Sequence, residues 1–195
     1  MRVISGTARG RPLKAVPGMG TRPTTDKVKE ALFSMIGPYF SGGQMLDLFG
    51  GSGGIGIEAL SRGMDRAVFI DMDKKAIETI HLNLRTAGLE GQAEVYRNDA
   101  HRAIKALAKR EARFELVMLD PPYRLKIADE LILQMEEAGI IGEQSTIVVE
   151  YEAGHAYPEQ IGQFQAVRTA EYGETAIRIY KYAQEPEGDN EHNEP

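Results

Sequence analysis

The sequence predicts an α/β fold, a mostly parallel seven-stranded sheet with helices on both faces and a C-terminal antiparallel hairpin. Three observations carry that expectation. Short apolar runs alternate with stretches of helical periodicity between residues 45 and 149, which is the pattern of βα units building a parallel sheet. A glycine-rich turn, Gly50-Gly51-Ser52-Gly53-Gly54-Ile55-Gly56, follows the first apolar run. The last two runs, Phe164 to Thr169 and Thr175 to Tyr182, alternate in polarity and are joined near Tyr172-Gly173 with no helix between them, as in a hairpin.

Taken in order, Val28, Ala31, Leu32, Met35 and Ile36 recur at i, i+3, i+4, i+7 and i+8, so an amphipathic helix opens the domain. Thr24 or Thr25 can cap it, and Asp26 suits the positive end of its dipole. Pro23 holds Arg22 extended just outside. Met45 to Phe49 reads as the first strand, and a short helix runs from about Ile55 to Arg62, where Gly63 can end it. Ala67 to Asp71 is the second strand; Asp73 caps a helix carrying Ile77, Ile80, Leu84 and Ala87 up to Gly88. Ala93 to Arg97 is the third strand, ending in Asn98-Asp99, and a helix with Ile104 and Leu107 follows. Leu116 to Asp120 is the fourth, a helix with Ile127, Leu131, Ile132 and Met135 comes next, and Thr146 to Val149 is the fifth. No internal repeat interrupts this order.

Composition narrows the class. The 195 residues fit one domain, and a domain of this size buries roughly 70% of its unfolded surface. There is no cysteine, hence no disulfide and no thiolate metal site, which fits a reducing cytoplasm. His81, His101, His155 and His192 show no ligand spacing, so no metal is expected. The longest uncharged stretch, from Ala31 to Leu46, is broken by Gly37, Pro38, Gly42 and Gly43 and falls short of the ~20 residues of a membrane span. No signal peptide is expected, because the N-terminus lacks an apolar core segment.

Charge is unevenly placed. The formal net charge is −6, yet residues 1–29 carry seven bases (Arg2, Arg9, Arg11, Lys14, Arg22, Lys27, Lys29) against Asp26 alone. The last twelve residues carry five acids and no base. Residues 1–23 thus read either as a basic arm or hairpin able to track phosphates, or as a solvated flap over one face. Residues 24–183 form the main domain, and 184–195 an acidic tail expected to be disordered.

The most telling residues are Asp120-Pro121-Pro122-Tyr123, at the end of the apolar run Leu116-Val117-Met118-Leu119. A carboxylate at the mouth of a buried strand can accept one N–H of a planar amine, and the Pro121 carbonyl can accept the other. Tyr123 can stack on the ring. The alternative is a turn that happens to contain prolines. In an open parallel sheet, ligands bind outside the carboxyl ends of the strands, and Asp47, Asp71, Asp99 and Asp120 all sit at or near such ends. Each acid alone fits a helix cap or turn equally well; together they suit a donor-rich or cationic ligand. The glycine turn holds a G-x-G-x-x-G at Gly51, Gly53 and Gly56, a pattern shared with nicotinamide-dependent oxidoreductases. Asp71, at the second strand end, would take a ribose diol in either case. Asp47, placed before the loop, favours an amino-acid end over a pyrophosphate.

These residues resemble a known family. Asp47-Leu48-Phe49 with the glycine loop, Glu58-Ala59-Leu60-Ser61-Arg62-Gly63, and Asp120-Pro121-Pro122-Tyr123 are similar to class I S-adenosylmethionine-dependent amino methyltransferases, which have a Rossmann-like fold. Thr21 to Asp26, then Val28, Glu30, Leu32 and Phe33, bring the resemblance closer to the RsmD family, across residues 2–182. That family methylates the exocyclic N2 of one guanine, position 966 in the usual numbering, of bacterial 16S ribosomal RNA in the cytoplasm. The resemblance implies S-adenosylmethionine as cofactor, held by Asp47, Phe49, Gly51, Ser52, Gly53, Gly56, Asp71, Met72, Asn98 and Asp99. It implies catalysis at Asp120, Pro121, Pro122 and Tyr123, RNA contacts from Arg9, Arg11, Lys14 and Arg22, and 16S rRNA, within the small subunit or an assembly intermediate, as partner. Gly50 departs from the alanine expected there. An amino methyltransferase acting on DNA adenine or cytosine shares the tetrapeptide, an oxidoreductase shares the loop, and an RNA-binding assembly factor could keep the fold without turnover.

Overall fold

A computed structural model describes residues 1–18 and 24–184. One eight-stranded sheet runs through it, in the order β3-β2-β1-β4-β5-β8-β7-β6. The strands are β1 (Gln44–Asp47), β2 (Arg66–Asp71), β3 (Ala93–Arg97), β4 (Leu116–Leu119), β5 (Thr146–Glu152), β6 (Gln160–Ile161), β7 (Phe164–Tyr172) and β8 (Thr175–Tyr182). Those from β1 to β5 are parallel, and β8, β7 and β6 are antiparallel to their neighbours. The helices are α1 (Asp26–Ile36), α2 (Gly54–Ser61), α3 (Lys74–Ala87), α4 (Ala100–Lys109) and α5 (Ala128–Glu137).

The expected topology is present, with one strand more than the seven anticipated. Strand β6 is two residues long, too short to show alternation in sequence. Its Ile161 is buried beside Phe164, on the same core face as Met135 of α5. Two boundaries also move. Strand β1 stops at Asp47 instead of Phe49 because the Asp47 carboxylate accepts the Phe49 N–H at 3.3 Å and turns the chain. Strand β5 runs on to Glu152 because β8 pairs with it as far as Glu152↔Thr175.

Helix ends follow their capping chemistry. Thr25 accepts the Val28 N–H, Asp73 the Lys75 N–H and Asp99 the Arg102 N–H. Gly88 closes α3 in the left-handed conformation, φ 71°. The core forms two layers. Leu46, Val68, Val117, Leu119, Ile147 and Val149 pack under α4 and α5, while Met45, Phe69, Met118 and Val148 pack under α1, α2, α3 and the N-terminal segment. Gly56 lets α2 lie directly on β2, since a Cβ there would come within 2.2 Å of a Phe69 ring carbon.

Residues 1–14 fold back as a hairpin, with Arg2 bridging Pro12 and the Val3 N–H bonded to the Arg11 carbonyl. Val3, Ala8 and Leu13 are buried in the second core layer.

Candidate active site

Strand order reverses between β1 and β4, and the glycine loop and the Asp-Pro-Pro-Tyr run both sit there. This is the switch point at which open α/β sheets form a ligand crevice. The loop is braced from two sides. The Asp71 carboxylate accepts the Gly51 N–H at 2.9 Å with one oxygen and the Asp73 N–H at 2.9 Å with the other. From the opposite side, the Asn83 amide donates to the carbonyls of Ser52 at 2.8 Å and Lys14 at 2.9 Å. Gly51 itself, at φ 56°, has open space where a side chain would project, so a ligand can approach its backbone. Gly50 has no such backbone need; its departure from alanine relieves a crowded contact with the Ile80 methyl.

Three carboxylates line one face of the sheet beside the loop. Asp47 pairs in register with Met118, and Met118 with Val148. Leu119 pairs with Val149, so Asp120 and Glu150, the next residues, leave adjacent strands side by side. Alternation puts both on the Met118–Val148 face, one step beyond Asp47. Asp47 is buried, and burial raises its pKa to about 7; the Phe49 N–H opposes the shift, and Asp71 and Glu150 add to it. Burial likewise raises Glu150 to about 7. Burial holds the Asp120 carboxyl well above the usual carboxylate range, with Glu150 and Asp47 repelling its charge. Like charges concentrated here are the mark of a site awaiting donors.

Among the described residues, neither the Asp120 carboxylate nor the Pro121 carbonyl takes part in a hydrogen bond. Pro121 is buried, Pro122 is exposed, and the carbonyl of Pro122 ends the turn by accepting the Leu125 N–H at 2.9 Å. Tyr123 is 39% exposed. Its hydroxyl meets the Thr175 hydroxyl at 2.9 Å, fixing the ring at the start of β8. A narrow cleft next to it is lined by Pro121, Pro122, Tyr123, Glu150, His155 and Tyr157, among others.

The remaining sequence-derived candidates are spread along the same edge. Met72, at the end of β2, is 65% exposed, and Phe49 is partly buried. The Asn98 side chain accepts the Asp99 N–H at 2.9 Å, and Asp99 is also the cap of α4. Arg9, Arg11 and Lys14 are exposed on the hairpin. Arg22 lies outside the described residues.

Sequence reasoning missed several residues that organise this region. Glu58 is fully buried and accepts the N–H groups of Ile4 and Ser5 as well as the Arg62 guanidinium at 3.0 Å. Lys29, also buried, donates to the Arg2 carbonyl and lies 3.9 Å from Glu58; burial lowers its pKa, against the pull of Glu58. Together they clamp the hairpin to α1 and α2. Glu150 was missed as well. Its signal was a charge inside the apolar run Ile147-Val148-Val149-Glu150-Tyr151, past the point where the strand was expected to stop.

Comparison with known proteins agrees with this architecture. The family model described as Conserved hypothetical protein 95 matches residues 1–181. YlbH of Bacillus subtilis (strain 168) is 52% identical over 181 residues, 93% of this chain and 98% of that protein. Ribosomal RNA small subunit methyltransferase D of Escherichia coli (strain K12) is 34% identical over 189 residues, 97% of this chain and 93% of that one. The solved structure of yhhF from Escherichia coli superposes with a TM-score of 0.81 at 34% identity, over 95% of this chain and 99% of that chain. The chain belongs to the Conserved hypothetical protein 95 family, the RsmD family of ribosomal RNA small subunit methyltransferase D.

Proposed function

We propose that this protein transfers a methyl group from S-adenosylmethionine to the exocyclic N2 of a guanine in small-subunit ribosomal RNA. The observation that carries the reading is the pair of unengaged acceptors, the Asp120 carboxylate and the Pro121 carbonyl, beside the exposed Tyr123 ring at the switch point. The naming of a relative 34% identical over nearly the whole chain as a small-subunit rRNA methyltransferase supports the polymer.

The residues fit the cofactor. Asp47 and the loop Gly51-Ser52-Gly53, whose backbone is open at Gly51, suit an ammonium and carboxylate, with Gly56 keeping α2 close behind the loop. Asp71, its two oxygens already oriented by backbone N–H groups, keeps lone pairs for ribose hydroxyls. Phe49, Met72, Asn98 and Asp99 would surround the base. Bound there, S-adenosylmethionine would supply an electrophilic methyl group, its sulfonium leaving as a neutral thioether as the S–C bond breaks.

The chain's own residues supply position and proton affinity. The guanine amine is a weak nucleophile because its lone pair is delocalised into the ring. Asp120 and the Pro121 carbonyl each accept one of its N–H bonds, which draws the nitrogen toward a tetrahedral geometry and aims its lone pair. Holding nitrogen and methyl carbon at about 3 to 3.5 Å can contribute up to ~7–11 kcal/mol. Tyr123 stacks on the extruded base, worth about 1–3 kcal/mol. As the N–C bond forms the amine becomes cationic and acidic. Asp120, its proton affinity raised by burial and by Glu150 and Asp47, is placed to take the proton.

Asp120→Ala should abolish methyl transfer to small subunits while cofactor affinity by calorimetry changes less than about threefold, because the lost group acts on the nucleobase. Undiminished transfer would remove Asp120 from the mechanism.

A further inference from the structure

The proposed mechanism gives Glu150 an electrostatic effect on Asp120 and no contact with the base. Glu150 is 9% exposed, and its Oε2 is buried with no hydrogen-bond partner. Such an orphan is costly, and it calls for a partner that arrives from outside. Strand register sets it beside Asp120 on the same sheet face, and it lines the cleft under Tyr123.

The chemistry of amino-bearing bases shows what that partner is. The edge of guanine that carries the N2 amine presents three donors, the two amine hydrogens and the adjoining N1–H. Adenine and cytosine present two amine hydrogens next to a bare ring nitrogen, which is an acceptor. The guanine amine lies between N1–H and the bare N3, and a base held by Asp120 and the Pro121 carbonyl with N1 turned toward the neighbouring strand would meet Glu150 there. We infer that Glu150 accepts the N1–H of the target guanine and so sets the base specificity of the site. A base with a bare ring nitrogen would bring a lone pair against this carboxylate. The site then matches three donors with three acceptors and rejects adenine and cytosine even though their amines could reach Asp120. This inference rests on the amino-methyltransferase reading given above.

The test uses the full-length protein at pH 8, above the value of about 7 to which burial raises Glu150, and small subunits reconstituted with RNA carrying guanine, 2-aminopurine or adenine at the methylated position. 2-Aminopurine keeps the C2 amine but has a bare N1. The parent protein should prefer guanine to 2-aminopurine by about 100-fold or more in kcat/KM, as sites built to bond a substrate N–H do. Glu150→Gln, whose amide can turn an N–H toward a bare nitrogen, should compress that ratio to about tenfold or less. The ratio is taken within one preparation, so the fraction of active protein cancels. Equal use of guanine and 2-aminopurine by the parent overturns the inference, and that arm stands even if the variant folds poorly. An unchanged ratio in Glu150→Gln overturns it too, as does a variant that melts like the parent and methylates neither base. Methylation of adenine with none on guanine is a separate result, which would refute the guanine-N2 reading itself.

Discussion

Asp47 carries one share of an electrostatic cost that it divides with Asp120 and Glu150. Buried and near other carboxylates, it holds its proton up to about pH 7 in the folded protein, while the unfolded chain releases it near 3.9. A raised carboxyl pKa means that the native state binds more protons than the unfolded state between those values, so this group's contribution to stability falls as pH rises through the window. Asn at this position keeps an oxygen for the Phe49 N–H and never ionises. Asp47→Asn should therefore match the parent near pH 4 and exceed it increasingly up to about pH 7.5, by at most on the order of 4 kcal/mol. Paired urea titrations across that range measure the difference. A constant difference with pH would mean that Asp47 is not held neutral.

At the scale of elements, the basic N-terminal hairpin and the glycine loop form one mechanical unit. Glu58 binds the hairpin's backbone to α2, Ser61 accepts the Ala8 N–H, and Asn83 of α3 joins Lys14 to Ser52 of the loop. The flap reading accounts for the buried Val3, Ala8 and Leu13; it leaves the exposed Arg9, Arg11 and Lys14 unexplained. Phosphate contacts release counterions, each steepening the salt dependence of binding by roughly 0.7–0.9 in log–log slope. Replacing Arg9, Arg11 and Lys14 together with alanine should weaken RNA binding and reduce the slope by about 2 to 3, measured by filter binding across a salt series. An unaltered slope would return the hairpin to a covering role. The substitutions touch no core residue, so folding should survive them.

For the molecule as a whole, the sheet was legible because its signals are local. Apolar runs, caps at Thr25, Asp73 and Asp99, and Gly88 after α3 each act within a few residues. Strand β6 and the extension of β5 were not legible, since both depend on pairing with distant β7 and β8. The same distinction holds at the site. Asp120 to Tyr123 announce themselves as a contiguous run with its own chemistry. Glu58, Asn83 and Glu150 matter through partners roughly 30 to 70 residues away, and a lone Glu or Asn in a strand or helix gives no sign of that. The uneven charge, with seven bases in residues 1–29 of a chain whose formal net charge is −6, has its counterpart in three dimensions. The hairpin presents cations, and the strand ends present acceptors.

On the function proposed above, this edge of acceptors delivers one methyl group to the N2 of a guanine in small-subunit RNA. Nucleoside mass spectrometry of that RNA, from cells with the gene, without it, and without it but carrying the intact coding sequence on a plasmid, tests it most directly. The account predicts that one N2-methylguanosine per small subunit disappears on deletion and returns with the plasmid. An unchanged N2-methylguanosine content, or the loss of a methyl group from any other base, would contradict it.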